Sequence, residues 1–331
     1  MSLRIIKAGL LDTIQDCGRY GFQHLGINPN GAMDRFSAQL ANVLLGKELA
    51  APVLELHFPA AQIVFEKETI LCITGGDFSP TLNGTPIPLH HPVMVAGNTV
   101  LQFQKAVYGS RCYISFLPEL NLGKWMNSYS TNTKAATGGW QGRALQKGDV
   151  IHWKEGTDMT PLLQHKAFAV LHWTSHETVT IKNEIECIIG SEWHSLTKEA
   201  QSDFQSGFFQ ISNESDRMGY RLKGPDLAVT EKESLVSSGV SFGTVQLLPD
   251  GQLIILMADH QTTGGYPRVA HIASAHLPIV AQKKPGDVLR FTFIDLETAE
   301  QKFIEQQKYL HQLQTTCAFR MEEVIHASDR P

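Results

Sequence analysis

The 331-residue sequence has few cysteines, no long apolar run and no excess of basic charge. Its five cysteines are widely spaced and none lies in a Cys-x-x-Cys pair, which argues against a disulfide framework or a zinc site. No stretch approaches the roughly 18 apolar residues of a membrane helix, and the N-terminus lacks an apolar signal segment. A net charge of -5 argues against a nucleic-acid or anionic-membrane partner. We therefore expect a cytoplasmic protein that acts on a small molecule, with no nucleic-acid or membrane partner.

Motifs for nucleotide and metal chemistry are missing as well. No Gly-x-x-x-x-Gly-Lys-Ser/Thr phosphate loop occurs, so any nucleotide must bind by other means or on a partner. The 14 histidines include no His-Glu-x-x-His, and we predict no metal site. The segment 239–243 matches the Gly-x-Ser-x-Gly nucleophile pattern. The residues after it favour a strand, however, whereas that pattern requires a helix.

Short apolar or alternating runs, separated by Gly, Pro, Asn and Asp, dominate the sequence. Turn signals such as Asn83-Gly84 and Pro249-Asp250-Gly251 lie between them. Many short strands at this spacing are typical of sandwiches or barrels rather than of a parallel α/β sheet. We predict a mainly β fold with strands at 62–65, 69–74, 93–96, 99–104, 111–116, 208–212, 253–258 and 288–294.

Two amphipathic helices stand out from this pattern. The first runs from Asp34 to Leu45, with Asp34 as N-cap and Gly46 just past the end. The second spans 296–314 near the C-terminus. The chain is long enough for two domains, and the polar residues 150–165 are the best candidate junction. We predict an N-terminal half at 1–155, a C-terminal half at 156–295, and a C-terminal helix and tail at 296–331.

The strongest candidate site is the polar loop after the apolar run 252–258. It contains hydroxyls, an amide and a carboxylate, and two adjacent glycines allow backbone N–H groups to turn toward a bound molecule. Such a loop at the end of a rigid strand is typical of a binding site, although a simple glycine turn explains the same residues. The candidates are Asp259, Gln261, Thr262, Thr263, Gly264, Gly265 and Tyr266.

A second candidate site contains two arginines in the segment 215–222. If this segment is a strand, alternation places Arg217, Gly219 and Arg221 on one face. Two guanidinium groups beside a glycine suit a carboxylate or a phosphoryl group. Pairing of both arginines with surface carboxylates, for example Asp216, is the alternative.

Two further segments combine glycine with polar side chains. The segment 30–34 opens the first helix, whose N-terminal amides and dipole could hold an anion, although Asp34 is equally explained as a cap. Asn42 lies on the mostly apolar side of this helix, where a buried amide needs partners. Gly138 and Gly139 belong to a second glycine-rich polar loop.

Taken together, these stretches resemble the PxpC family, the C-type subunits of 5-oxoprolinase. That family includes the KipI antagonist protein and the carboxyltransferase part of urea amidolyase, also called allophanate hydrolase subunit 2. The matching pieces occur in order along the chain: 31–34 with Ser37, Ala41-Asn42 and Leu45-Gly46, Leu54-Glu55, 73–75, Gly138-Gly139, Gly142-Arg143, Gly148-Asp149, 215–222, Gly243 with Gln246, Asp259 with 261–267, Ala281-Gln282 and 285–287.

The resemblance implies two cyclophilin-like β-barrel halves and a complex with two partners, a PxpB-like (KipI-like) subunit and a third 5-oxoprolinase subunit. That complex uses ATP, bound on this chain or on a partner, to open 5-oxoproline to glutamate. As catalytic residues we predict Asp34, Arg217, Asp259 and Thr263. As substrate-binding residues we predict Asn42, Gly138, Gly139, Arg221, Gln246, Gln261, Thr262, Gly264, Gly265, Tyr266 and Gln282.

Two other functions remain open within the same family. The chain could transfer a carboxyl group from carboxybiotin to urea or a similar small amide, with biotin on another chain because no Met-Lys-Met-like carrier motif is present. It could also be a non-catalytic regulator that binds a KipI-like kinase inhibitor. The sequence departs from the family at His276, where an aspartate is common, which weakens any proposal of a catalytic base there.

Overall fold

The structure is a computed structural model that describes residues 2–154, 163, 165–180, 182–230 and 235–328. Contacts divide the chain into two units. Unit 1 contains Met1–Gly18, Asp34–Val179 and Lys308–Pro331, whereas unit 2 contains Arg19–Met33 and Thr180–Gln307. Most of the predicted junction at 150–165 lies outside the described residues. The predicted limits of the two halves, 1–155 and 156–295, stay a prediction.

Unit 1 is built from strands and one short helix. The helix, α1, spans Arg35–Leu44. The strands are β1 (Ser2–Lys7), β2 (Thr13–Gln15), β3 (Val53–Leu56), β4 (Gln62–Phe65), β5 (Thr69–Asp77), β6 (Pro80–Leu82), β7 (Thr85–Pro86), β8 (Pro92–Val95), β9 (Thr99–Phe103), β10 (Tyr108–Phe116), β11 (Val150–His152) and β12 (Phe168–Val170).

These strands form two six-stranded sheets, in the orders β11-β1-β4-β9-β6-β7 and β12-β8-β5-β10-β3-β2. Neighbouring strands are antiparallel; Ile114 of β10, for example, is opposite both Leu54 of β3 and Ile73 of β5. Apolar side chains from both sheets, among them Ile5, Leu56 and Phe65, form the core of the unit. Because alternate residues of a strand face opposite ways, one face of each sheet supplies this core.

Helix α1 confirms the first predicted helix and its caps. Both oxygens of the Asp34 carboxylate accept from Ser37, Oδ1 from the backbone N–H at 2.9 Å and Oδ2 from the hydroxyl at 2.6 Å. Gly46 follows the C-cap with a φ of 70°, and a Cβ there would lie 2.5 Å from the Cα of Ala318. Glycine is therefore required both for the backbone turn and for the close approach.

Unit 2 is a closed seven-stranded barrel in the order β13-β20-β17-β18-β15-β14-β21. A parallel pairing of β13 with β21 closes it, while the other pairs are antiparallel. The strands are β13 (Glu184–Ile189), β14 (Phe209–Ile211), β15 (Gly219–Lys223), β16 (Ser238–Gly239), β17 (Thr244–Leu247), β18 (Leu253–Leu256), β19 (Thr263–Gly264), β20 (Arg268–Ile272) and β21 (Val288–Phe293). Strands β16 and β19 form a separate two-stranded sheet.

Unit 2 also contains two short helices, and an aromatic cluster packs the first of them onto the side of the barrel. These helices are α2 (Lys198–Ser206) and α3 (Leu277–Ala281). Phe204 of α2 is fully buried and stacks on Phe291 of β21 with ring centroids 4.7 Å apart. Trp193 packs edge-on against both Phe204 and Phe293. Large aromatic rings bury much apolar area, so this cluster anchors α2.

The C-terminal helix, α4, spans Leu296–Ser328 and is longer than the predicted 296–314. Its residues Leu310, Cys317 and Met321 join the core of unit 1 around α1. Among the described residues, no helix is long and apolar enough to cross a membrane. The fold is thus mainly β, with a barrel, a few short helices and a C-terminal helix, as the sequence predicts.

Candidate functional site

The backbone on either side of Asp259 is paired with the segment that carries Arg217. Strand β18 ends at Leu256, but pairing continues, because Met257 N donates to Met218 O at 2.9 Å and Asp259 N donates to Arg217 O at 2.8 Å. Asp259 and Arg217 are therefore fixed side by side at the end of a rigid strand pair. This is the position at which the sequence predicts a site.

The side chains of these two residues form a forked ion pair. Arg217 donates from Nε to Oδ2 of Asp259 and from NH2 to Oδ1, both at 3.0 Å. The exposed fractions of the two side chains are only 10% and 13%. Arg217 NH2 also donates to Gly31 O at 2.7 Å. A planar guanidinium that binds both oxygens fixes the carboxylate in orientation as well as in place.

Asn30, in the N-terminal segment 19–33 of unit 2, also binds Asp259. Its Nδ2 donates to Oδ1 of Asp259 at 2.7 Å, and Asn28 Nδ2 donates to Asp259 O at 2.9 Å. Arg19 NH1 in turn donates to Oδ1 of Asn30. We call Arg19, Asn30, Arg217 and Asp259 the carboxylate cluster.

Arg19, Asn28 and Asn30 were not among the residues predicted for the site. A signal for Asn30 did exist, since an Asn-Gly pair just before a helix favours a positive φ. Asn30 indeed has a φ of 54°. The partner of Asn28, Asp259, lies 231 positions along the chain, so no local signal was available for it. Arg19 bonds to Pro29 and Asn30, within a loop whose fold the sequence pattern does not predict.

Arg221 is much more exposed to solvent than the residues of the carboxylate cluster. The predicted alternation is wrong for this pair, because β15 begins only at Gly219 and Arg217 precedes it. The side chain of Arg221 is 47% exposed and lies 3.8 Å from Glu214, which is itself 75% exposed. The exposed guanidinium remains accessible, and its predicted role in substrate binding stays a prediction.

The predicted loop 261–267 is supported from below by Gln246. This side chain is fully buried on β17, and its Nε2 donates to Tyr266 O at 3.3 Å. A Cβ on Gly264 would lie 2.7 Å from the same Nε2, so a side chain there would displace the Gln246 amide. Gln261, Thr263 and Tyr266 are exposed, which leaves their polar groups available to a ligand.

The same loop borders a surface cavity of unit 2 with a volume of about 720 Å³. Gly265, Tyr266 and Pro267 form one side of it. Its other lining residues are mostly apolar, with Glu192, Asp226 and Asp250 as the acidic ones.

In unit 1, Asp34 and Asn42 bond to neighbouring groups. Asp34 caps α1, and its backbone N–H donates to the Tyr113 hydroxyl at 2.8 Å. Asn42 Oδ1 accepts from Ser115 Oγ at 2.6 Å, while Nδ2 donates to Leu49 O at 3.1 Å and Ala51 O at 2.8 Å. These bonds give the amide of Asn42 the partners that a buried polar group requires.

The three other predicted site residues are Gly138, Gly139 and Gln282. Gly138 and Gly139 have φ values of 69° and 54°, and Gly139 N donates to Tyr129 O at 2.9 Å. A Cβ on Gly139 would lie 1.9 Å from Oγ1 of Thr131. Gln282 is buried and caps α3, with its N–H donating to Pro278 O at 3.1 Å. Their predicted substrate contacts stay predictions.

His276 belongs to a second group of charges in unit 2. Glu186 N donates to its Nδ1 at 2.9 Å, and its Nε2 lies 3.2 Å from Oε2 of Glu186. Lys302 Nζ bonds both Glu186 oxygens at 2.6 Å. Burial lowers the pKa of His276 to about 4, despite the opposing charge of Glu186. The neutral ring with its proton on Nε2 fits these contacts, since Nδ1 must accept.

Metal-ligand clusters and free helix N-termini are two further kinds of site that could hold an ion or a phosphate group. Across 2–154, 163, 165–180, 182–230 and 235–328, no three His, Cys, Asp or Glu residues are grouped to hold a metal ion. One first-turn amide of α1, that of Ser37, bonds to the Asp34 carboxylate, and one of α2, that of Ala200, bonds to the Thr197 hydroxyl. The N-terminus of each of these helices is thus capped by the residue that precedes it.

Comparisons with known proteins agree on one family. A family model described as carboxyltransferase domain, subdomain A and B, matches residues 25–293. The chain is 33% identical over 311 residues to the C-type subunit of 5-oxoprolinase from Escherichia coli, covering 94% of this chain and 97% of that protein. It is 29% identical to the urea amidolyase of Saccharomyces cerevisiae over 98% of this chain, but only 18% of that protein.

A solved structure gives the same result. The crystal structure of the K. lactis urea amidolyase matches 94% of this chain with a TM-score of 0.85 and 25% sequence identity. The match covers 20% of that chain. The protein thus spans nearly the whole length of the bacterial relative, but only one part of the much longer fungal enzymes.

Proposed function

Since the chain belongs to the carboxyltransferase domain family, subdomains A and B, we propose that it is one subunit of an ATP-dependent 5-oxoprolinase. This complex opens 5-oxo-L-proline to L-glutamate and includes a KipI-like partner and a third subunit. The similarity to the C-type subunit of 5-oxoprolinase, over 97% of that protein, supports this function.

The chemistry explains why a complex is needed. A five-membered lactam amide is unreactive toward water, and ATP supplies the phosphoryl group that turns its oxygen into part of a leaving group. We assign ATP to the complex, bound on this chain or on a partner. The contribution of this chain is to position the substrate and to stabilise charge.

The assignment of a site rests on the geometry of the carboxylate cluster. Asp259 is held by Arg217 and Asn30 and is only 13% exposed, so it presents a fixed negative charge at one point. We propose that it orients the lactam N–H or the attacking water. Polar groups that are held rigidly before the substrate arrives lose little free energy in reorganising during the reaction.

The neighbouring loop would bind the rest of the substrate. Under this proposal Thr262, Thr263 and the N–H groups of Gly264-Gly265 hold the amide. The exposed guanidinium of Arg221 binds the carboxylate or a phosphoryl oxygen. Gln246 supports the loop from inside the barrel through Tyr266 O.

The test is co-expression with the two other subunits, followed by an assay of 5-oxoproline-dependent ATP hydrolysis and glutamate formation. Turnover should require this chain, and Asp259→Asn should abolish it while the complex still assembles on size-exclusion chromatography. Normal turnover without this chain would refute the proposal. Arg217→Ala and Thr263→Ala test the regulator alternative, which predicts that partner binding and turnover both persist.

A second candidate, carboxyl transfer, is favoured by the family model and by the urea amidolyase structure. Biotin would supply the carboxyl group from a carrier on another chain, and Asp259 and Asn30 would position the accepting amide. Urea-dependent turnover that avidin abolishes would support this reaction. Avidin-insensitive glutamate formation would support the lactamase instead.

A further inference from the structure

Arg19 is only 1% exposed and is among the largest fully buried side chains described. Burial of a guanidinium costs free energy unless its donors are used. Arg19 bonds to two residues that lie ten and eleven positions later in the sequence. Its backbone N–H donates to Pro29 O at 2.8 Å, and its Nη1 donates to Oδ1 of Asn30. These two bonds close the loop 19–30 at its base.

The bond to Asn30 decides which way the amide of Asn30 points. A guanidinium can only donate, so the amide oxygen of Asn30 must face Arg19. The Nδ2 group is then left to donate to Oδ1 of Asp259, at 2.7 Å. If the amide were reversed, an N–H donor would face the arginine and an oxygen would face a carboxylate.

Asn30 also has a backbone conformation that is uncommon for a residue with a side chain, with a φ of 54°. Asparagine adopts this region more readily than most such residues, and bonds on both sides of its amide fix the side chain. Removal of Arg19 would release one of these bonds. The amide of Asn30 would then be able to turn away from Asp259, weakening the hold on the carboxylate.

We propose that Arg19 is a positioning residue of the carboxylate cluster. It does not contact the reacting atoms but acts through the amide of Asn30, whose orientation it sets toward Asp259. This assignment rests on the proposed function only in taking the cluster as the site. Arg19 would thus affect the reaction although it bonds to the end of the Asn30 amide that faces away from Asp259.

The kinetic test uses the assembled complex with Arg19→Met, Arg19→Lys, Asn30→Ala and the double variant Arg19→Met/Asn30→Ala. A misplacement near the chemistry of about 1 Å can cost on the order of 100-fold, so Arg19→Met should lower kcat about 10- to 100-fold with a smaller change in KM. Arg19→Lys, which keeps a donor, should recover part of the loss. In the Asn30→Ala background, Arg19→Met should have little further effect.

Arg290→Ala serves as the control, since Arg290 is a surface arginine of the same unit paired with Glu184. It should leave kcat unchanged. If Arg19→Met keeps the wild-type kcat, or if its effect multiplies in full with that of Asn30→Ala, the proposal is wrong. The melting temperature of each variant separates a loss of folding from a loss of positioning.

A crystal structure of the Arg19→Met variant gives a result that needs no activity. The Asn30 Nδ2 to Asp259 Oδ1 distance should lengthen beyond hydrogen-bonding range. If it stays near its present value, Arg19 does not position Asn30, whatever the reaction is. If turnover is normal without this chain while this distance changes as expected, the proposed function fails and the structural role of Arg19 stands.

Discussion

Arg217 binds both carboxylate oxygens of Asp259, through Nε and NH2, each at 3.0 Å. The two residues are 42 positions apart in sequence but pair through their backbones as well as their side chains. A carboxylate held in this way cannot rotate without breaking two charge-assisted hydrogen bonds. Groups that bind next to it are therefore placed relative to a fixed charge.

The two arginines of the segment 215–222 should differ in their effect on stability. Arg217→Ala leaves the mostly buried carboxylate of Asp259 without its main partner and should lower the free energy of unfolding by about 3 kcal/mol. Arg221→Ala removes an exposed pair and should change it by less than about 1 kcal/mol. Urea denaturation of both variants measures this difference. Equal effects would contradict the buried environment described for Arg217.

Gly264 and Gly239, in the two-stranded sheet of β16 and β19, differ in the space that a side chain would find there. A Cβ on Gly264 would lie 2.7 Å from Gln246 Nε2, whereas a Cβ on Gly239 would have no described heavy atom within 4 Å. If the proposed function holds, we expect Gly264→Ala to displace the loop and raise the KM for 5-oxoproline about tenfold, because small shifts of binding groups are costly. Gly239→Ala should leave KM unchanged. Steady-state kinetics of the complex would show whether only the first variant is impaired.

Asn42 should be a major contributor to the stability of unit 1. Alanine at this position removes the acceptor of Ser115 and the donors to two backbone carbonyls. The groups left without partners should cost about 1–3 kcal/mol. Gln39→Ala on the same helix, where Nε2 has a weak bond to Cys17 Sγ at 3.6 Å, should cost less than about 0.5 kcal/mol. Chemical denaturation that ranks the two variants the other way would refute this expectation.

Acid should weaken the protein through His276. Its pKa of about 4 lies below the usual 6.5, so the folded protein binds fewer protons than the unfolded chain between these values. The contribution of His276 to stability is complete above about pH 6.5 and is lost as the pH falls to about 4. The loss should be about 2–3 kcal/mol. The charges that face the ring come from Glu186, Lys302 and Lys182.

The measurement is the free energy of unfolding as a function of pH for the wild type, His276→Gln and His194→Gln. Glutamine at 276 can accept from Glu186 N but does not titrate, so its stability should fall less between pH 6.5 and 4. His194 is exposed and serves as the control. An unchanged slope in His276→Gln would show that the ring does not control acid stability.

Much of the fold was predictable from local patterns. All eight predicted strands exist, because apolar alternation and turn residues act within a few positions of each other. Helix α1 and its Asp34 cap were predictable for the same reason. The segment 215–222 was less certain, since Asp216 accepts from the N–H groups of Met218 and Gly219 and forms a turn where a strand was expected.

The site was predictable only in part. Asp259 and Arg217 lie in segments with unusual polar composition, and the structure brings them together. Asn30 approaches Asp259 from 229 positions away, and a single sequence contains no signal for such a pairing. The role proposed for Arg19 depends on Asn30 in turn, so it can be inferred only from the folded structure.

Unit 2 begins with residues 19–33, and the rest of it comes only after residue 179. During synthesis from the N-terminus, Asn30 and Arg19 emerge long before Arg217 and Asp259 exist. No fragment that stops short of residue 259 can assemble the carboxylate cluster. A nascent chain, or one truncated before residue 259, would therefore lack the proposed site.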